Sequence, residues 1–350
     1  MLSVLSRFQL VAPVLSCEKY GCGHINETYL VVTETKRYIL QRINNRIFQN
    51  VPALMENIAA VTGFLAKQTD DPRRVLSLVP TLEGTPCLEM DGYWRVYDFV
   101  EDSICLQQPE SPEDFYESAV AFGGFQPRLK DFPAHTLHEI LPNFHNTPDR
   151  YRIFHETLAR DPMGRARDVQ PEIDFVLAHE EEAGTLVALL AAGKLPLRVT
   201  HNDTKLNNVM LDAATRKALC IIDLDTVMPG LSLYDFGDSI RFGAASAAED
   251  ETDLSKMEMR LDMFDIYTKG FLEACPGLWE TEKEMLPMGA KLMTLECGVR
   301  FLTDYLDGDH YFATHRPGHN LDRARTQFKL VSSMEAQWDE MQATVRKYCR

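Results

Sequence analysis

The chain changes its periodicity at Ser111, and that switch limits the fold more than any other feature. Upstream, the runs 28–33, 37–43 and 93–100 are rich in β-branched and aromatic residues and are separated by polar turns, as the strands of an antiparallel sheet are. Between them, 51–67 reads as a helix. At Ser111, Pro112, Glu113 and Asp114 the signals turn helical: an N-cap residue, a proline at the first helical position and two acids at the positive helix end. A helix to about Leu129 follows, with Phe115, Ala119, Phe122 and Leu129 on one face. Thr147, Pro148 and Asp149 repeat the device, and 170–192 is long enough for another helix. Thr281 and Glu284 have capping-box spacing, and Met285, Leu292, Leu295, Val299 and Leu302 continue at helical spacing despite Pro287. Residues 325–350 read as a closing amphipathic helix. With 350 residues, 45% of them hydrophobic, the chain can fill two moderate cores. The prediction is an α+β chain of two lobes, an antiparallel β-rich lobe over 1–104 and a mainly helical lobe over 105–350, with a hinge near 99–109.

A net charge of −16 without a run of five basic residues argues against nucleic acid or an anionic membrane as partner and favours a small ligand. An anionic ligand then requires local cations to offset the acidity. The eight cysteines are scattered, with no Cys-x-x-Cys pair, so reduced and mostly buried thiols are expected. No basic n-region leads into an apolar stretch and no apolar segment reaches 18 residues. The expectation is a cytoplasmic protein, monomeric or weakly homo-oligomeric.

The short apolar runs 197–200 and 218–222 read as buried strands, which places HNDTKLNN (201–208) on the loop between them and Asp223 just past the second. Metal-assisted phosphoryl transfer needs an acceptor for a hydroxyl proton and oxygen ligands for Mg²⁺. Asp203 fits the first need as candidate base, and Asn208 and Asp223 fit the second. Asp and Asn also cap ordinary turns; the spacing on to Asp223 strengthens the chemical reading. Asp225 points the same way as Asp223 if the segment is extended, so it is a further candidate metal ligand, or a structural acid beside Asp223. Asp235, Asp238 and Arg241 read as loop-orienting groups, and His201 as a packing group.

Near the start, Gly21 and Gly23 permit close backbone approach to a phosphate, with His24 and Asn26 as polar neighbours, although Gly-x-Gly also marks plain hairpins. The following strand run has no Lys, which leaves Arg42, beside Gln41, as the candidate phosphate-binding cation. Glu56 is either its partner or a solvated acid. Tyr97 and Phe99, where the strand meets the hinge, are candidate nucleotide contacts. Glu296 and Arg300 stand at i and i+4, ordinarily a modest intrahelical pair. Tyr305, Asp309, His310 and Tyr311 follow closely, a polar and aromatic cluster that suits a sugar.

HNDTKLNN (201–208) with IDLD (222–225) resembles the catalytic signature of the aminoglycoside phosphotransferase and choline kinase superfamily. The wider set of 201–210, 221–230, 233–243, the early GHINETY, ECGVRF (296–301) and YFAT (311–314) is similar to the N-acetylhexosamine 1-kinases of bacterial amino-sugar salvage, over about 21–330. The resemblance implies a protein-kinase-like fold with ATP and Mg²⁺ in a cleft under the β-rich lobe. It implies phosphorylation of the anomeric hydroxyl of N-acetylglucosamine or N-acetylgalactosamine. By position, Asp203 becomes the base, Asn208 and Asp223 hold Mg²⁺, and His24, Asp203, Arg300 and Tyr311 contact the sugar. Gln41 departs from the wider superfamily, which often has a basic residue there. A kinase of homoserine, choline or aminoglycoside type is the alternative. A silent nucleotide-binding module is opposed by the presence of the base and both metal ligands.

Overall fold

In the computed structural model, which describes residues 1–21 and 25–349, the β-branched runs of the first hundred residues become strands. After a short helix α1 (Leu2–Leu5) come β1 (Val14–Lys19), β2 (Glu27–Thr33) and β3 (Arg37–Ile43). Helix α2 (Val51–Ala66) starts on the side chain of Asn50, which accepts from Ala53 N–H, with proline in its first turn. Strands β4 (Leu78–Val79), β5 (Leu88–Glu89), β6 (Tyr93–Asp98) and β7 (Ser103–Cys105) follow. The sheet order is β1-β2-β3-β6-β4, with β5 also on β6, and the pairs are antiparallel.

Register decides which side chains meet. Gln41 pairs with Arg95 and Arg42 with Trp94, so alternation puts Gln41 and Arg95 on one face and Arg42 on the other. Arg42's face carries a cluster of Tyr38, Leu40, Trp94 and Val96 with Val4, Leu5 and Phe8.

Helices α3 (Pro112–Arg128) and α4 (Thr147–Arg160) begin close to their predicted starts. Ser111 Oγ accepts from Asp114 N–H at 3.3 Å. The cap of α4 is Asn146, one residue before the predicted Thr147. The single helix predicted over 170–192 is instead α5 (Gln170–Ala178), α6 (Glu180–Ala183) and α7 (Thr185–Ala191). The first break falls where the His179 ring bonds the Phe175 carbonyl at 2.7 Å. Strand β8 (Arg198–Thr200) leads into the loop before β9 (Val209–Asp212) and β10 (Ala218–Ile221), which form a sheet in the order β10-β9-β7.

A short strand β11 (Met228–Gly230) and helices α8 (Ser232–Gly243) and α9 (Leu261–Ala274) come next. Every residue from Ser232 to Arg241 is buried, and Phe236 meets Phe264, Tyr267 and Phe271 of α9. In place of the predicted capping box at Thr281 and Glu284, Glu282 accepts from the Trp279 N–H at 2.8 Å where α10 (Glu280–Glu284) opens. Pro287 sits in the first turn of a new helix, α11 (Leu286–Asp307), and interrupts nothing. The predicted closing helix is two, α12 (His319–Ala336) and α13 (Trp338–Tyr348).

Helix α11 packs against α4, α8 and α12. It approaches α8 through glycines: a Cβ on Gly237 would meet the Gly289 carbonyl oxygen at 2.3 Å, and one on Gly289 would meet the Leu233 oxygen at 2.7 Å. The two backbones touch with no side chain between them.

The chain divides into two compact units, Met1–Leu106 with Arg128–Pro142 and Asn208–Pro229, and Gln107–Pro127 with Asn143–Asn207 and Gly230–Arg350. The first passage from one to the other lies within the expected 99–109 stretch. Residues 208–229, expected in the helical lobe, group with the sheet. The described cysteines are free thiols, but only Cys220 and Cys275 are buried and Cys105 is exposed, so the expectation of mostly buried thiols does not hold. Among the described residues no helix is long and apolar enough to cross a membrane.

Candidate functional site

In the second unit, the loop from His201 is held by carboxylates of α8. Asp235 accepts from the backbone N–H groups of His201 at 3.0 Å and Asn202 at 2.8 Å, and from Gln126 Nε2 at 3.2 Å. Asp238 accepts from Thr204 N–H and from Arg241 Nε, each at 3.0 Å, and Arg241 continues to Glu249 at 2.7 Å. Tyr267 Oη donates to Ser239 Oγ, which donates to the Thr204 carbonyl. His201 is fully buried, its ring meeting Phe122 and Phe125 at 5.4 and 6.4 Å. Asn202 takes the left-handed conformation, φ 64°, which short amide side chains tolerate. Burial raises the pKa of Asp235 beyond what its N–H donors lower it. Asp238 is equally buried, yet Arg241 and Lys205 hold its carboxyl below the ordinary value.

Asp203, the expected base, extends from this braced loop with its side chain about a quarter exposed. Its Oδ1 lies 2.8 Å from Lys205 Nζ. Burial works against the Lys205 charge, but Asp203 and Asp238 outweigh it and the pKa rises. Lys205 is a functional candidate that the sequence reading passed over.

In the first unit, the expected metal ligands lie at one end of the β9–β10 hairpin. Ile222 N–H donates to the Asn208 carbonyl at 2.9 Å, so Asn208 enters the hairpin where Asp223 leaves it. Asp223 has φ 58° and ψ 57°, a left-handed conformation that aspartate, like asparagine, adopts at modest cost. An amide oxygen and a carboxylate suit a hard cation such as Mg²⁺.

Asp225 stands differently. It is 3% exposed and takes both terminal nitrogens of Arg95, Nη1 on Oδ1 and Nη2 on Oδ2 at 3.0 Å. Asn26 Nδ2 donates to the same Oδ2 at 2.6 Å. These contacts favour the structural acid of the two sequence alternatives. Asn26, expected at the nucleotide, is committed to Asp225 and, through Oδ1, to Asn44 N–H.

Arg42 does not reach this cluster. From the opposite face of the sheet it donates to the Asp91 carbonyl at 2.7 Å and lies over the Trp94 ring. Glu56, its suggested partner, bonds His138 instead. The buried cation on the inward face is Arg95, missed by the sequence reading although an arginine between Trp94 and Val96 in an apolar strand signals a buried, paired charge. Tyr97 is buried beside Arg95 at 5.2 Å, and its hydroxyl has no partner among the described residues. Phe99 stacks under Arg37 at 4.2 Å. Gly21 has φ 77° and borders a recess of about 210 Å³ with Tyr20 and Thr28. Gly23 and His24 lie outside the described residues.

The expected sugar contacts belong to α11 and the turn after it, in the second unit. Glu296 does not bond Arg300. It takes His145 Nδ1 at 2.9 Å and Thr147 Oγ1 at 2.7 Å. Burial raises its pKa, but His145, Arg300 and Arg150 bring it below the ordinary value. Arg300 instead lies against the rings of Phe144, Tyr311 and Phe312, 5.4 to 5.6 Å from each centroid, and donates to Tyr311 Oη at 3.3 Å. Asp304 fixes that turn by accepting from the N–H groups of His310, Tyr311 and Phe312 at 2.8 to 2.9 Å. Phe144, His145 and Asp304 were not singled out in the sequence; only contact across distant segments identifies them. Elsewhere, His179, Glu182 and Glu335 cluster as metal ligands could, but Lys291 already supplies the cation at 2.7 Å.

The sequence profile of the Phosphotransferase enzyme family matches residues 16–261. Similar solved structures include a microcompartment-associated aminopropanol kinase, with 15% identity, TM-score 0.60 and coverage of 97% of each chain. An aminoglycoside phosphotransferase from Alicyclobacillus acidocaldarius gives 12% identity and TM-score 0.63 over 99% of this chain and 96% of the other. A spectinomycin phosphotransferase in complex with ADP and spectinomycin gives 11% and 0.53 over 95% and 93%. At these identities the likeness shows the kinase-like fold.

Proposed function

This chain belongs to the phosphotransferase enzyme family, and within it we propose that it transfers the γ-phosphoryl group of ATP to the anomeric hydroxyl of an N-acetylhexosamine. Asp203 accepts the hydroxyl proton as the sugar oxygen attacks phosphorus, ADP leaves, and the product is the sugar 1-phosphate. Lys205, 2.8 Å from Asp203, holds that carboxylate in place and brings positive charge to the reacting end of the loop. Asn208 and Asp223 hold Mg²⁺, which when bound draws charge from the phosphates. The ADP complex of the spectinomycin phosphotransferase supports ATP as donor.

The observation that carries the acceptor assignment is the surroundings of Arg300. A guanidinium bordered by Phe144, Tyr311 and Phe312 offers donors to hydroxyl and acetyl oxygens and flat apolar surface to a sugar ring. Burial and the nearby Arg300 both lower the pKa of Arg150, and Glu296 is engaged by His145 and Thr147. The positive charges of Arg300 and Arg150 weigh against an ammonium-bearing acceptor there, and so against the choline and aminoglycoside alternatives.

The test is ADP release by the purified protein with ATP and Mg²⁺, against N-acetylglucosamine, N-acetylgalactosamine, homoserine, choline, an aminoglycoside and no acceptor. Turnover with either N-acetylhexosamine well above the rest is expected. Preference for an amino alcohol, or equal ADP release without acceptor, would refute the assignment.

A further inference from the structure

We propose that Arg95 is a positioning residue of the metal-bearing turn: through its fork on Asp225 it sets the left-handed backbone at Asp223, and Asp225 is its counter-charge rather than a metal ligand. The inference rests on the reading of Asp223 as a Mg²⁺ ligand.

Arg95 is 1% exposed and its direction is fixed from the sheet. Its Nε donates to Gln41 Oε1 at 2.9 Å, and Gln41 Nε2 in turn donates to Thr28 Oγ1 at 3.0 Å. Strands β2, β3 and β6 therefore aim one guanidinium at one carboxylate. Asp225 has both oxygens occupied, and Asn26 adds a third donor. Withdrawing this carboxylate to coordinate a cation would leave a buried guanidinium without its counter-charge, the costly way to break a buried pair.

The turn is gripped at a second point. Asn57 on α2 donates to the Val227 carbonyl at 3.0 Å. The turn is thus held at the Asp225 side chain and at the Val227 carbonyl, and Asp223, two residues before the first grip, is presented in the left-handed conformation. Gln41 fits the same account. The strand-borne positive charge sits one strand over, on β6, and Gln41 is the amide that steers it.

Calorimetric titration of ADP with increasing Mg²⁺, together with thermal unfolding, separates the roles. D223N should lose most of the Mg²⁺-dependent gain in ADP affinity while melting near wild type. R95K and D225N should raise the Mg²⁺ concentration for half-saturation about tenfold, as loss of an outer-shell partner does, lower the melting temperature and leave metal-free ADP affinity unchanged. R95M/D225L replaces the pair with apolar side chains, a change that often preserves stability, and should regain the melting temperature while keeping the raised Mg²⁺ requirement. Wild-type Mg²⁺ dependence in the folded double variant would overturn the proposal. So would D225N abolishing the Mg²⁺ gain as fully as D223N while R95K leaves it intact. Full Mg²⁺ gain in D223N refutes the reading of Asp223 itself, and is recognised because Arg95 is untouched in that variant.

Discussion

The two units hold their working loops by opposite means. In the second, helices supply carboxylates that accept backbone N–H groups: Asp235 and Asp238 of α8 take His201, Asn202 and Thr204, and Asp304 of α11 takes three consecutive residues of the Tyr311 turn. In the first, a strand supplies one guanidinium that holds a side-chain carboxylate. Backbone N–H groups are present whatever the residue, so the first arrangement tolerates change in the loop it holds. The second depends on two particular side chains. Asp225, Asp235, Asp238 and Asp304 are thereby bonded inside the protein to amides and guanidinium groups.

Asp203→Asn gives the largest effect that bears on this contrast, because the residue extends from the braced loop without bracing it. Turnover should fall by roughly 10² to 10⁴ with little change in acceptor KM or melting temperature. Near-normal turnover in the ADP-release assay would remove Asp203 as base. Asp235→Asn attacks the brace, and losing a charged acceptor of two buried N–H groups should cost about 1.5 to 3 kcal/mol of stability, with turnover falling too. Unchanged unfolding in denaturant would break the comparison at its strongest point.

Arg300→Ala should raise the acceptor KM roughly tenfold, the equivalent of a lost charge-assisted hydrogen bond, and leave the ATP KM alone. Stability loss with an unchanged acceptor KM would take Arg300 out of the acceptor site. Glu296→Gln reads the brace through pH. Its folded pKa is below the ordinary 4.5, so its contribution is present above that value and is lost as pH falls through the lower, folded one. The variant should show a shallower drop in melting temperature below about pH 4.5; an identical acid limb would mean that the carboxylate contributes nothing. Arg42→Ala should be smallest, within about 0.5 kcal/mol of stability and with unchanged ATP KM, since its guanidinium faces Asp91. A raised ATP KM would return Arg42 to the nucleotide site.

The sequence exposed what depends on local order. The β-branched and aromatic runs showed β2, β3 and β6, Ser111 and Asp114 showed the start of α3, and the runs 197–200 and 218–222 bracketed the loop of Asp203, while β9 was not foreseen. Capping missed by a residue or two, at Asn146 and Trp279, because neighbouring polar residues compete for the same N–H groups and packing chooses among them. Arg42 was named and Arg95 passed over because proximity in sequence does not show which way a strand residue points; only pairing with β6 does. His145 and Asp304 were invisible for a related reason, since their partners lie up to 151 residues away or are backbone groups that carry no sequence signal.

The glycine contact between α8 and α11 gives those loops a common datum. Asp235 and Asp238 flank Gly237, while Glu296 and Asp304 lie further along the helix that carries Gly289, so the loop of the proposed base and the proposed acceptor turn are measured from one backbone crossing. A methyl group at either glycine would displace both at once.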